Sequence, residues 1–168
     1  MAEWAARLKV GAAAETKLIP YNAVMGEMDV NNSDFGVQRF VFKQVFDAGV
    51  AASAGSPVGT TQAAGGGIVT PDQSDVTAIA IRGMNGGICT FAVAANAIRY
   101  GWIQFEGVNR YGALAGSGTI TAGVGTVWSG DDTLTDVGAT DEEAIFAVPQ
   151  VTKNSSNVIV AGNLLLLG

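Results

Sequence analysis

Six of the chain's 15 acidic residues fall in one stretch, as Asp131, Asp132 and Asp136 followed by Asp141, Glu142 and Glu143. A hard cation such as calcium takes roughly six to eight oxygen ligands, and clustered carboxylates supply several of them. The spacing lacks the alternating Asp-x-Asp-x-Asp-Gly register of a dedicated calcium loop, and Thr140 to Glu143 has the form of a capping box. The stretch therefore reads as a solvated acidic loop, and no metal ligand is assigned. Two acids flanking a sugar would hydrolyse a glycosidic bond, but these sit together on one polar loop with no recognisable cleft motif.

Other chemical equipment is sparse. The chain has no histidine, which removes the usual imidazole metal sites, and its single cysteine, Cys89, lies in an apolar strand where a buried, inert thiol is expected. Gly65-Gly66-Gly67 offers backbone amides to a phosphate, yet neither a following Lys-Ser/Thr nor an opening helix accompanies it. The net charge of −6, with no basic run, lacks the stripe that neutralises nucleic-acid phosphates. No catalytic residue, cofactor or nucleic-acid partner is assigned on these grounds. Tyr100, Trp102, Tyr111 and Trp128 present a choice between a platform for sugar rings and ordinary core packing. Core packing is the expectation, because Tyr100 and Trp102 share one face of one strand, where a core pair would also sit.

The elements that must position these residues are strands. A chain of 168 residues hides roughly 70% of the surface its unfolded form exposes, enough for one core without staples. Its 23 glycines and the large alanine share of its apolar content favour many turns and closely approaching strands. From Val37 to Phe46 the residues alternate, with Phe40, Phe42 and Phe46 on one face and Val37, Val41 and Val45 on the other beside Arg39 and Lys43. From Ile98 to Glu106 both faces carry bulk, Tyr100 and Trp102 on one and Ile103 and Phe105 on the other, as in a strand lying between two layers. Gly101 leaves room on the second face for a neighbouring backbone or aromatic ring. Asn85-Gly86, between the apolar runs 76–82 and 88–93, predicts a type I′ hairpin. Pro149 limits a strand over 145–151 to an edge or bulge, and 158–167 reads as an apolar strand pair broken at Gly162-Asn163. The predicted fold class is all-β, a small β-barrel or β-sandwich over 37–168.

Residues 1–36 differ. Trp4 and Leu8 stand one helical turn apart, Pro20 and the polar run Asp29 to Asp34 oppose any long element, and an extended N-terminal arm that orders against something else fits best. Its apolar residues Trp4, Leu8, Leu18, Ile19 and Tyr21 are the candidate interface. The first residues lack the apolar core of a secretory signal, and the longest apolar run is too short for a membrane span, so synthesis in a cytoplasm and no membrane partner are expected. The triplets Asn31-Asn32-Ser33 and Asn154-Ser155-Ser156 then read as loop chemistry rather than glycosylation sites.

Tyr100-Gly101-Trp102-Ile103-Gln104, the glycine-rich run that follows it through Gly123, and Ala54-Gly55-Ser56-Pro57-Val58-Gly59 together resemble the small β-rich head decoration, or cement, proteins of tailed bacteriophages. The likeness covers about residues 46–168. It implies a β-barrel or sandwich without catalytic residues, bound to the outer surface of the capsid, contacting the major capsid protein and often forming a homotrimer. The length supports decoration over shell-building, because no periodic segment provides a long spine helix. A phage tail or fibre domain that binds a host glycan through exposed aromatics is the alternative.

Overall fold

The structure, a computed structural model, describes residues 8–28, 36–61, 67–76, 85–111, 113–115, 120–128, 133–138, 147–152, 158–159 and 164–168. It is nearly all β, with a closed five-stranded barrel and additional strands continuing from it. Among the described residues the one named helical element is a single 3-10 turn, Gln73–Asp75, capped by the Asp72 side chain.

Five strands close the barrel: β3 (Val37–Val45), β4 (Pro57–Thr60), β5 (Ile68–Thr70), β6 (Gly86–Cys89) and β7 (Arg99–Val108). β3 pairs with β5 in parallel, and β5–β4, β4–β6, β6–β7 and β7–β3 are antiparallel, which completes the ring. The alternation in β3 and β7 explains why they bear the most contact. Val41 and Val45 of β3 and Ile103 and Phe105 of β7 turn into the barrel with Val58, Val69, Cys89, Phe91 and Val93. Phe40, Phe42 and Trp102 point the other way and form a separate cluster, in which the Phe42 and Trp102 rings meet edge to face at 5.4 Å. Burying side chains of this size contributes roughly 1.5–3 kcal/mol each. Gly101 meets the expectation made for it: a Cβ there would run into the ring of Phe91, so the ring occupies the space that glycine leaves.

The N-terminal residues lie along the outer face of this barrel. β1 (Ala13–Ala14) pairs with β7 at Gly101 and Tyr100, and β2 (Val24–Met28) pairs with β3 along its whole length. The expected boundary at residue 36 thus falls inside one continuous sheet. Residues 8–28 are strapped onto the barrel because the Phe40–Phe42–Trp102 cluster needs a cover, which Leu8, Val10, Ile19, Ala23 and Met25 supply.

The C-terminal residues extend the sheet past β7 as a wing. It comprises β8 (Ala113–Ala115), β9 (Thr126–Trp128), β10 (Thr133–Asp136), β11 (Ala147–Pro149), β12 (Val158–Ile159) and β13 (Leu164–Leu167), in the spatial order β12-β8-β10-β9-β11-β13-β7. Its core joins Ile120, Trp128, Leu134, Ala147, Leu164 and Leu166 to Ile88 of the barrel. Asn109, fully buried at the end of β7, fastens the junction: its amide donates to the Leu164 carbonyl at 2.8 Å, and its side-chain oxygen accepts from the Leu164 amide at 2.9 Å.

Three local expectations are corrected. Gly86 opens β6 opposite Gly59 and lacks the left-handed φ of a type I′ turn. Ile88 already has Pro57 on one side and Gln104 on the other, which leaves the strand no edge for a hairpin partner from 76–82; residues 77–84 lie outside the described residues. The two halves of 158–167 do not pair with each other at the described positions: β12 joins β8, and β13 is held between β7 and β11. β11 is an internal strand rather than an edge. Pro149 is tolerated at its last residue because the ladder to β9 reaches only Ala147.

Candidate functional site

The structure brings together carboxylates that are far apart in sequence. Asp47 follows β3, Asp72 precedes the 3-10 turn and Asp75 ends it, and a ligand oxygen from each lies within 4.8 Å of the others. They line a cleft of about 680 Å³ with Gln44, Phe46, Ile68 and Thr70. Asp47 is 8% exposed, and both its oxygens already have protein donors. Oδ1 accepts from the Gly49 and Val50 amides at 2.7 and 2.9 Å, and Oδ2 accepts from the Thr70 hydroxyl at 2.8 Å. Burial alone would raise this carboxyl, but the bonds from Gly49, Thr70 and Val50 outweigh it and hold the group below its ordinary 3.8. Asp72 Oδ1 accepts from the amide and hydroxyl of Ser74. The cluster therefore staples two loops, and as a cation site it offers only part of the oxygen shell that calcium takes. Sequence reasoning passed over it because long-range pairing of β3 with β5 assembles it. The only local signal was Asp72 two residues ahead of Ser74.

Of the acidic loop read from the sequence, Asp136 is described: it ends β10, and its carboxylate accepts from the Thr121 amide at 2.9 and 3.1 Å. Asp131, Asp132, Asp141, Glu142 and Glu143 lie outside the described residues, as do both Asn-x-Ser triplets. Cys89 is buried, and desolvation pushes its thiol up to about 12, which makes it a poor nucleophile.

The candidate interface residues have divided fates. Trp4 lies outside the described residues. Leu8 and Ile19 pack on the Phe40–Phe42–Trp102 cluster, and Tyr21 stacks on Tyr100 at 6.5 Å while its hydroxyl donates to Gln44 Oε1 at 2.9 Å. These three turn toward their own barrel; Leu18 remains 49% exposed. The aromatic platform is likewise drawn inward. Trp102 and Trp128 are 6% and 5% exposed, and the Trp102 indole donates to the Leu8 carbonyl at 2.7 Å. Of the four aromatics, these two tryptophans are core residues, whereas Tyr100 and Tyr111 are half-buried against the aromatic cluster and the wing core.

An outward apolar surface that sequence reasoning missed lies on β2 and the start of β3. Val24 and Met28 are each 50% exposed, and Val37, paired with Met28, is 58% exposed. Strand periodicity puts Val24, Gly26 and Met28 on one face, and a Cβ on Gly26 would lie 3.5 Å from Val37 Cγ1; Arg39, paired with Gly26 and ion-paired to Glu106, is the charged flank of this row. The opposite face of β2 is anchored: Met25 joins the aromatic cluster and Glu27 pairs with Arg110 at 3.2 Å. The apolar row is thus carried on a strand whose inner side is fixed. Comparison of the chain with protein-family models, curated proteins and solved structures returns no match.

Proposed function

We propose that this chain is a structural virion protein, a capsid decoration or cement protein that binds the outer surface of a phage head, bridges copies of the major capsid protein and acts without catalysis, as a homotrimer. The observation that carries the reading is the outward row of Val24, Met28 and Val37 on a firmly backed strand. An apolar row on a rigid body favours docking to another protein. The inward placement of Trp102 and Trp128 weighs against the glycan-binding alternative.

The test uses undecorated phage heads. A ligand that binds only the intact lattice stabilises it by mass action, so the purified protein should raise the temperature at which heads release their genome. Met28→Lys should weaken head binding about tenfold or more while leaving the circular dichroism spectrum unchanged, because it places an unpaired charge in the contact. A protein that neither binds heads nor shifts their stability, yet is retained on a glycan array, would replace this reading with the tail or fibre alternative.

A further inference from the structure

We infer that the outward row on β2 takes its partner by strand addition: an extended segment of the major capsid protein pairs with the open edge of β2 and continues the sheet. This rests on the decoration reading and names how its contact is made. β2 ends the strand order, with β3 on one side and no strand on the other among the described residues. The phase of its ladder decides which backbone groups face outward. In an antiparallel pair every second residue exchanges both backbone bonds with the residue opposite, and the residues between turn theirs away. The Phe42 amide donates to the Ala23 carbonyl at 2.9 Å, and the register runs on from there without a shift, Met25 opposite Phe40 and Glu27 opposite Gln38. Ala23, Met25 and Glu27 therefore bond inward to β3, and the N–H and C=O groups of Val24, Gly26 and Met28 point to the open side.

The same three residues are the exposed ones of the strand. Edge strands are normally blunted by lysine, proline or an inward-pointing charge. Val-Met-Gly-Glu-Met has neither lysine nor proline, and its one charge, Glu27, lies on the other face, paired with Arg110. Backbone donors and acceptors repeating along a strand are matched in full only by another extended backbone, so the edge itself specifies the occupant. The side chains specify its composition. Residues of the incoming strand that share a face with Val24, Met28 and Val37 are apolar, and Gly26, bare between them, lets a large one reach Val37. Those on the other face meet the Glu27 carboxylate, whose side chain is 42% exposed, so a basic residue fits there and an acidic one is repelled.

The experiment replaces Gly26 by proline. Where the N–H faces away from the sheet, proline removes that donor and leaves the inner ladder whole. Gly26→Ala keeps the donor and is the control, since its Cβ makes only ordinary contact with Val37. On undecorated phage heads, Gly26→Pro should weaken binding about tenfold or more, because a carbonyl of the partner is left unpaired. Gly26→Ala should bind within about threefold of the unmodified chain. Equal binding by Gly26→Pro and the unmodified chain overturns strand addition and leaves decoration standing, whereas failure of the unmodified chain to bind heads overturns both. Amide hydrogen exchange of the free protein, followed by nuclear magnetic resonance, is a second readout that does not require the proline variant to fold. Met25 and Glu27 should be protected while Val24, Gly26 and Met28 exchange freely. Protection of all five overturns the inference, because the edge is then already occupied.

Discussion

The two faces of β3 and β7 are built from alternate residues of the same strands but are closed in different ways. Inside, Val41, Val45 and Ile103 are fully buried by a ring of five strands. Outside, Phe40, Phe42 and Trp102 are equally hidden, but their cover is a strap whose own side chains are only half-buried. A closed ring hides its lining through cooperative strand pairing, whereas a strap adds cover that can open separately. The inner face should therefore govern global stability and the outer face local opening.

The largest effect is expected inside. Ile103→Ala should cost about 3–4 kcal/mol, because the ring cannot collapse around the lost side chain. Urea unfolding followed by fluorescence and circular dichroism checks this, with both probes moving together. Gly101→Ala tests the same face by overpacking, since its Cβ would enter the Phe91 ring; about 2 kcal/mol is expected. If the loss is below about 0.5 kcal/mol, the ring has free space to move into and the comparison weakens.

Lys43 sharpens the contrast through pH. It is 1% exposed, and burial lowers its ammonium from 10.5 to about 8. Between those values the unfolded chain holds the extra proton, so stability should rise as pH goes from about 8 to 10, by about 2 kcal/mol. Burial, with Tyr100 nearby, raises Tyr21 above its ordinary 10, and the gain should reverse beyond that pH. Lys43→Met should flatten the rise in unfolding midpoints measured across this window.

The smallest effect belongs to the strap. Trp102→Phe removes the indole donor to the Leu8 carbonyl and should cost about 1 kcal/mol. Hydrogen exchange should quicken in residues 8–14 and stay unchanged at Val41 and Ile103. Equal quickening at both would mean that strap and barrel open as one unit.

Period-two alternation made the two faces of β3 and β7 legible, and Gly101 between bulky residues announced a close approach by a backbone or a ring, of which the structure supplies the Phe91 ring. Hairpin chemistry misled at Asn85-Gly86 because a local turn preference lost to pairing on both edges of β6. The strap was unreadable as part of the sheet, since β1 has only two residues and Pro20 interrupts the segment; its place is set by Trp102 and Phe42, far along the chain. The acidic cleft was hidden for the same reason, being made by strands that meet only in the fold. The outward row on β2 showed no signal because Val-Met-Gly-Glu-Met carries apolar residues on both faces, and sequence alone does not tell which one is covered.

The bond from Trp102 back to Leu8 spans 94 positions. A ribosome adding about 5–20 residues per second emits the strap first and its seat many seconds later. During that interval Leu8, Val10 and Ile19 lack Trp102, the last-made member of the cluster they cover. The strap's cover is therefore among the late contacts of the chain, completed after the segments that become β3 and β7 have both been made.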